Sequence, residues 1–347
     1  MPLSIVVGGQ FGSEGKGKVA CYIAKAHRAQ AVVRVGGPNS GHTVIDSNGQ
    51  RRIFRQLPTA AVLEDVVCVI SAGSYIDPEV LINEIKLSKL SHTRLKIDPK
   101  AVIVTPTVTD RERSVGLRAR IGSTETGTGA AVSQRVNRDS DIQFAAKRRD
   151  LAPYITDTAE YLAGLLQGGG RVVAEGSQGF GLSVIHTPYF PYATSRDTTA
   201  AGVLSEIGLS PLHVDEVLLV IRSYPIRVPG NSGPLPKELT WEEVTRRSGS
   251  REPLEEFTSV TRARRRVAEF DGDIVKRAIR ANSPTAIVLN HLDYIDIACR
   301  GKAHVTPKAL AFLKDVETQL GRSVEFIGTD AANTVKTSAL PQILVAA

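Results

Sequence analysis

Residues 8–18, GGQFGSEGKGK, hold five glycines and two lysines directly after an apolar run, Leu3, Ile5, Val6 and Val7. A short strand, a glycine turn and a helix start at Gly15 make an anion cradle. The first turn of such a helix has unpaired N–H groups and a partial positive charge, glycines let the backbone approach a phosphate, and Lys16 adds a point charge. The spacing is not that of a standard P-loop: five residues separate Gly9 from Gly15 where a P-loop has four, and Gly17 stands where it has Ser or Thr for magnesium. Downstream, after the apolar run at 31–35, GGPNSGHTV places Asn39, Gly41, His42 and Thr43 in a loop at a strand end, where α/β proteins bind ligands. A lone loop histidine is usually solvated, but beside a phosphate cradle His42 becomes a candidate acid or electrostatic group.

A third cluster, Arg262, Arg264, Arg265 and Arg266, has only Phe257 and Phe270 as aromatic neighbours. Nucleic-acid faces interleave basic and aromatic residues, whereas guanidinium clusters bind carboxylates and phosphates bidentately. The cluster therefore points to an acidic small molecule, and the net charge of +7 suits phosphorylated substrates as well as it suits nucleic acid.

Apolar, β-branched runs recur at 31–35, 66–70, 102–104, 171–174, 217–221, 286–289 and 323–327, separated by helical patterns at 78–90, 151–166, 198–207, 272–281 and 307–320. Such alternation predicts an α/β fold with a largely parallel central sheet flanked by helices. The Gly/Pro-rich stretches 105–128 and 228–236 read as long functional loops, and one domain over 1–347 is expected. With 42% hydrophobic and 23% charged residues the composition is that of an ordinary soluble enzyme. No run is long enough to span a membrane, and the N-terminus enters a strand with no signal peptide. Three scattered cysteines, Cys21, Cys68 and Cys299, fit neither a disulfide framework nor a zinc site, so a cytoplasmic location is expected.

The first two motifs together resemble the adenylosuccinate synthetase family, whose members carry GQWGDEGKGK and an NxGHT loop. Further segments follow in the family's order: IGSTETGTGAAVSQRVNR at 121–138, VVAEGSQG at 172–179, PYATSRDTT at 191–199, YPIRVPGNSGPL at 224–235, EEFTSVTRARRRVAEFD at 255–271 and VLNHLD at 288–293. The resemblance implies the fold of that family and its chemistry. A nucleoside triphosphate phosphorylates O6 of a 6-oxopurine nucleotide, and the amino group of L-aspartate displaces the phosphate. It also implies roles. Ser13, Lys16, His42 and Gln178 are the catalytic positions, and Ser13, Asn39, Thr124, Arg138, Gln178, Thr194 and Val228 hold the purine monophosphate, with Arg138 reaching across a homodimer interface. Thr258, Ser259, Val260, Thr261, Arg262 and Arg264 take aspartate. Gly12, Ser13, Glu14, Gly15, Lys16, Gly17, Gly41, His42, Thr43, Arg265, Asn290, His291, Asp293 and Gly328 hold the donor, and Ser13 and Gly41 would bind Mg²⁺.

Ser13 departs from the family, which has an aspartate there to take the N1 proton of the base and to ligate magnesium. A hydroxyl has no accessible pKa for the first task and is a weaker ligand for the second. Ala263 replaces an arginine that touches aspartate and the ribose 2′-OH, His291 replaces a guanine-packing lysine, and GTDAANT at 328–334 differs from the family's element. Serine leaves room for a 2-amino group beside N1, which points to dGMP and to the bacteriophage branch that makes 2-aminoadenylosuccinate for diaminopurine DNA. ATP or dATP then becomes the expected donor in preference to GTP. An ordinary IMP-using synthetase, and an inactive nucleotide-binding module, are the alternatives. A nucleic-acid-binding regulator is a further class, which salt-dependent duplex binding would reveal.

Overall fold

The computed structural model describes residues 2–258 and 262–340. Its centre is a nine-stranded sheet in the order Val335–Lys336, Phe326–Ile327, Ala286–Asn290, Val214–Arg222, Leu3–Gly8, Val172–Gly179, Ala31–Arg34, Val67–Ile70, Leu95–Ile97. Every neighbouring pair is parallel except the last strand, which runs antiparallel to Phe326–Ile327 at one edge. The Leu3–Gly8 strand is central and buried along its whole length. That explains its continuous apolar run, since a parallel sheet is covered on both faces.

Alternation then sorts the core. Ile5, Val7, Leu219, Ile221, Ile287 and Leu289 point to one face, where they meet residues of the helices Ala200–Ile207, Gly272–Asn282 and Pro307–Leu320. Val6, Leu218, Val220 and Val288 point to the other, under Val19, Ala20, Ile23 and Ala24 of the helix Lys16–Ala26. The helix that follows the glycine turn is thus clamped to the sheet by its apolar stripe.

Three expectations need correction. The stretch 105–128 is not one long loop, because it contains the helices Pro106–Ser114 and Leu117–Ile121. The first has a Thr105 cap and Pro106 in its first turn but buries only Val108 and Glu112, so it shows no apolar stripe to read. The helical pattern at 151–166 begins as a helix only at Thr158, where Asp157 accepts from the Glu160 N–H; a 3₁₀ turn, Ala152–Tyr154, precedes it. The 102–104 run forms a strand, Val102–Ile103, but it pairs with Tyr75–Ile76 in a separate small sheet and not in the central one. The helices Thr128–Asn137 and Trp241–Ser248 and the edge strand Leu95–Ile97 were not anticipated. Among the described residues no helix is long and apolar enough to cross a membrane, and all three cysteines are free and buried.

Candidate active site

The strands ending at Gly8, Arg34, Gly179, Arg222 and Asn290 deliver their following loops to one end of the sheet, the carboxyl end where ligands bind in open α/β folds. The turn after Leu3–Gly8 is built around Glu14, which is fully buried. One carboxylate oxygen accepts from the N–H groups of Gln10 at 3.2 Å and Gly12 at 2.8 Å, and the other takes the Lys16 ammonium at 2.6 Å. A side chain at Gly8 would collide with that carboxylate. Glu14 is therefore the keel of the loop, and it leaves Ser13, in the left-handed region at φ 56°, as the exposed side chain of the turn.

Gly15 starts the helix at φ 93° with no side-chain cap, and the first turn carries no acidic residue. The donors of that turn stay open to an anion. Gly17, the departure from the P-loop pattern, has a packing reason. A Cβ there would stand 2.5 Å from Thr59 Cγ2 and 2.9 Å from His42 Cβ, so the helix start can touch the His42 strand only through glycine.

His42 lies against that helix, buried, with Nδ1 2.5 Å from Glu175 Oε1. Burial and the charge of Arg34 push the imidazole down to about 4 despite Glu175. At neutral pH it is the neutral ring, with Nδ1–H donated to Glu175 and Nε2 left as the other face. Burial alone would raise the Glu175 carboxyl, but His42, Arg34 and the Thr59 N–H outweigh it and hold it ionised. Its second oxygen takes both the N–H and the hydroxyl of Thr59, at 2.9 and 2.8 Å. Arg34 in turn shapes the loop carrying Asn39 and Gly41, donating to the carbonyls of Ser40, Phe54 and Leu57, each at 2.9 Å. Asn39, Gly41 and Thr43 are half-buried there.

Gln178, at φ 65°, ends its strand beside Gly12: its amide oxygen lies 3.7 Å from where a Cβ on that glycine would be. The Gly181 N–H bonds the Gln10 carbonyl and the Thr194 N–H bonds the Leu182 carbonyl, both short, which carries Thr194 to the same end. Thr128 packs on Gly37, and Val228 packs near Gly122, so half-buried Thr124 sits between these segments. Arg138 is elsewhere. It is exposed at φ 59° at the C-terminus of the Thr128–Asn137 helix, roughly 15 Å along the axis from Thr128, and makes no ion pair among the described residues.

On the opposite side of the cradle, Asn290 Nδ2 donates to the Glu14 carbonyl at 2.7 Å and Gly15 packs on it. His291 lies at φ 66° beside Tyr294, and burial and Arg222 push its ring down to about 3. Asp293 is buried with one oxygen on Arg300 at 2.9 Å and the other without a partner, and burial raises its carboxyl despite that arginine. Asn290 Oδ1 is likewise unpartnered. Gly328 packs against Asn290 and Lys18, and Lys18 donates to the carbonyls of Asp330 and Asn333 at 2.8 and 2.9 Å. Burial brings Lys18 down to about 8.

The arginine cluster divides. Arg264 pairs with Glu242 and Glu255 at 2.5 and 2.8 Å, and Arg266 pairs with Glu238. Arg262, exposed at φ 55°, has no ion pair among the described residues. Arg265 turns toward the cradle, its N–H on the Glu256 carbonyl at 2.8 Å, and burial lowers it although Glu256 is near. Thr258 is buried, and the expected Ser259, Val260 and Thr261 lie outside the described residues.

Sequence reasoning did not assign Glu175, Arg34, Arg222 or Lys18. A readable signal existed for Arg34, inside AVVRV at 31–35, and for two others. Glu175 interrupts VVAEGSQG, and Arg222 ends VLLVIR, each a charge inside a buried apolar run, where isolated charges are expensive.

A family model for adenylosuccinate synthetase matches residues 5–146 and 141–306. The chain is 37% identical over 336 residues to the adenylosuccinate synthetase of Pyrococcus sp. strain ST700, covering 95% of this chain and 96% of that one. It is 35% identical over 334 residues to that of Archaeoglobus fulgidus, with the same coverage. Among solved structures it superimposes with TM-score 0.81 and 26% identity on the cyanophage S-2L succinoaminodeoxyadenylate synthetase PurZ, bound to dGMP and to dATP as an energy donor, covering 97% of this chain and 95% of that one. The fully ligated adenylosuccinate synthetase of Plasmodium falciparum matches in fold, with TM-score 0.83 at 19% identity over 97% of this chain and all of that one. The chain belongs to the adenylosuccinate synthetase family and is a carbon–nitrogen ligase.

Proposed function

We propose that this ligase joins L-aspartate to C6 of dGMP, with ATP or dATP as the phosphoryl donor, giving 2-amino-2′-deoxyadenylosuccinate on a route to diaminopurine nucleotides. The observation that carries the reading is the pairing of Ser13 with Glu14. The exposed side chain of the turn is a small hydroxyl, and the adjacent carboxylate is committed to Gln10, Gly12 and Lys16. No carboxylate of the turn then stands where a 2-amino group would sit. PurZ, bound to dGMP and dATP, gives this reading a structural neighbour. The second reading, IMP with GTP, is favoured by the archaeal relatives, which are named simply adenylosuccinate synthetases.

In the proposed mechanism the oxygen at C6 is a poor leaving group until it is phosphorylated. Transfer of a γ-phosphoryl group calls for alignment and charge neutralisation more than for covalent help. Lys16, with two ammonium protons free after its bond to Glu14, and the open N–H groups of the Lys16 helix neutralise the triphosphate. His42 presents Nε2 to the transferring group while Glu175 fixes the ring; an anion arriving there raises the imidazole pKa, so phosphate binding draws a proton onto His42. Gln178 and Asn39 orient the acceptor base, Thr124 and Thr194 hold its monophosphate, Val228 packs on the sugar, and Arg138 completes the phosphate site from the second subunit of a homodimer. Thr258, Arg262, Arg264 and the 259–261 segment receive aspartate. Arg265, Asn290, His291, Asp293 and Gly328 line the donor, and the unpartnered oxygens of Asp293 and Asn290 suit the exocyclic amine of a base.

Among the described residues no cluster of three or more His, Cys, Asp or Glu could hold a metal. The donors present, the Ser13 hydroxyl and the Gly41 carbonyl, fit a Mg²⁺ that keeps its waters and arrives on phosphate oxygens, where it would neutralise charge on the β- and γ-phosphates. The enzyme is placed in the cytoplasm, where its substrates are.

The test is a two-by-two assay of dGMP or IMP against ATP or GTP, with aspartate and Mg²⁺, reading phosphate release and the ultraviolet shift of the product. The proposal expects turnover of dGMP with ATP or dATP and little with IMP; the reverse preference overturns it. Nucleotide binding by calorimetry without phosphate release in any combination would leave an inactive binding module.

A further inference from the structure

Arg222 is among the largest wholly buried side chains of the molecule, and nothing in the chemistry above uses it. It ends the strand beside Leu3–Gly8, and the Gln10 carboxamide locks its main chain: the Arg222 N–H donates to Gln10 Oε1 at 2.9 Å and Gln10 Nε2 donates to the Arg222 carbonyl at 3.1 Å. The guanidinium then forks. Nη1 donates to the Ser13 carbonyl at 2.9 Å and to Glu256 Oε2 at 3.3 Å, and Nη2 donates to Glu256 Oε1. Its third nitrogen, Nε, is buried without a partner.

A buried ion pair is weak evidence of stabilisation, because desolvation offsets much of the attraction, and an orphaned N–H adds a further cost. Geometry is the better account. Ser13 is a non-glycine residue in the left-handed region, and its carbonyl is held there by the Arg222 Nη1 donor. Glu256 opens the loop that ends in the arginine cluster, and its own carbonyl accepts from the Arg265 N–H, while Arg265 Nε returns to the Phe257 carbonyl at 3.3 Å. One side chain therefore bridges the residue that faces the purine and the loop that faces the amino acid.

We propose that Arg222 is a positioning residue that couples acceptor selection at Ser13 to aspartate capture beside Glu256 and the arginines 262–265. This rests on the reading of Ser13 and of those residues given above. Through the fork, the carbonyl of Ser13 and the carboxylate of Glu256 are held at a fixed separation, so a shift of either loop is felt by the other. A lysine has the charge but not the fork, and it can serve one partner at a time.

Arg222→Lys and Glu256→Gln test this on the full-length enzyme, with thermal melting to show that each is folded. Steady-state constants are measured for aspartate, the triphosphate, dGMP and IMP. In Arg222→Lys the aspartate KM rises and the dGMP-to-IMP ratio of kcat/KM falls together, each by about ten-fold, with the triphosphate KM nearly unchanged. In Glu256→Gln, which keeps the donor to Ser13, the aspartate KM rises more than the purine ratio moves. A residue that only supports the fold lowers kcat/KM for all substrates alike, and that result overturns the proposal. So does a folded Arg222→Lys enzyme in which the aspartate and purine constants do not move together. If wild-type enzyme uses IMP and not dGMP, the reading of Ser13 fails separately, and the coupling is still read from the KM values of aspartate and IMP.

Discussion

The cradle formed by the 8–18 turn, His42 and Glu175 differs from the rim formed by residues 262–266 and the 328–334 segment in how its charges are housed. In the cradle every charge is buried and answered: Glu14 by two N–H groups and Lys16, Glu175 by His42 and Thr59. On the rim, Arg264 and Glu242 meet in solvent, and Arg262 has no ion pair among the described residues. Buried networks have one arrangement and fail when one member is lost, whereas exposed pairs contribute little and rearrange cheaply. The motif residues Lys16 and His42 sit in the first kind of region. The departures Ala263 and the 328–334 segment fall in the second, while Ser13 and His291 lie on the seam between them.

Experiments can strain that contrast. The largest effect is expected in the cradle. His42→Asn or Lys16→Ala, assayed as enzyme that thermal melting shows to be folded, lowers kcat by about 10³-fold, since each removes a group aimed at the transferring phosphate; a drop of less than ten-fold would show that the cradle is not the phosphoryl site. On the seam, Ser13→Asp lowers kcat/KM for dGMP by about 10²-fold and leaves triphosphate binding near wild type. Unchanged or improved dGMP turnover would show that the serine does not make room for a 2-amino group.

A third experiment reads the pH dependence of stability. His42 is pushed down to about 4 in the fold, below the ordinary 6.5, so in that interval the unfolded chain binds the proton and the native one does not. Stability contributed by the neutral ring is complete above pH 6.5 and is lost as pH falls toward 4, on the order of 3 kcal/mol in all. Urea melts at pH 7 and pH 5 should show a smaller loss in His42→Asn than in wild type; equal losses would place the acid sensitivity elsewhere. The smallest effect is on the rim. Arg264→Ala leaves the melting temperature and the triphosphate KM unchanged, because both of its glutamate partners are near solvent, and raises the aspartate KM a few-fold. A clear loss of stability there would remove the distinction between the two regions.

The parts of the molecule legible beforehand were those where local pattern and burial agree. The Leu3–Gly8 strand, the glycine turn, the Lys16–Ala26 helix and most of the parallel sheet follow from apolar runs and glycine spacing. The helices Pro106–Ser114 and Trp241–Ser248 did not, because each presents few apolar residues and borrows its stability from caps and neighbours. The candidate residues Lys16, His42 and Ser13 were legible as types, but the side chains that support them were not. Glu175 and Arg222 are far from their partners in the chain, and only strand order brings them within reach.

From the order of residues alone follow a glycine turn at a helix start, an α/β sheet, a family resemblance and an anomalous serine, because backbone geometry and helix-end electrostatics are local. Which carboxylate is free was decided by tertiary structure. Glu14 adjoins Ser13 in the chain, and the fold turns its carboxylate inward as the keel of the loop. Arg222 and Glu256, more than two hundred positions away from Ser13, decide how that serine is held. Long-range packing selects among conformations that local propensity leaves equal, and here it selects the one that leaves a hydroxyl exposed.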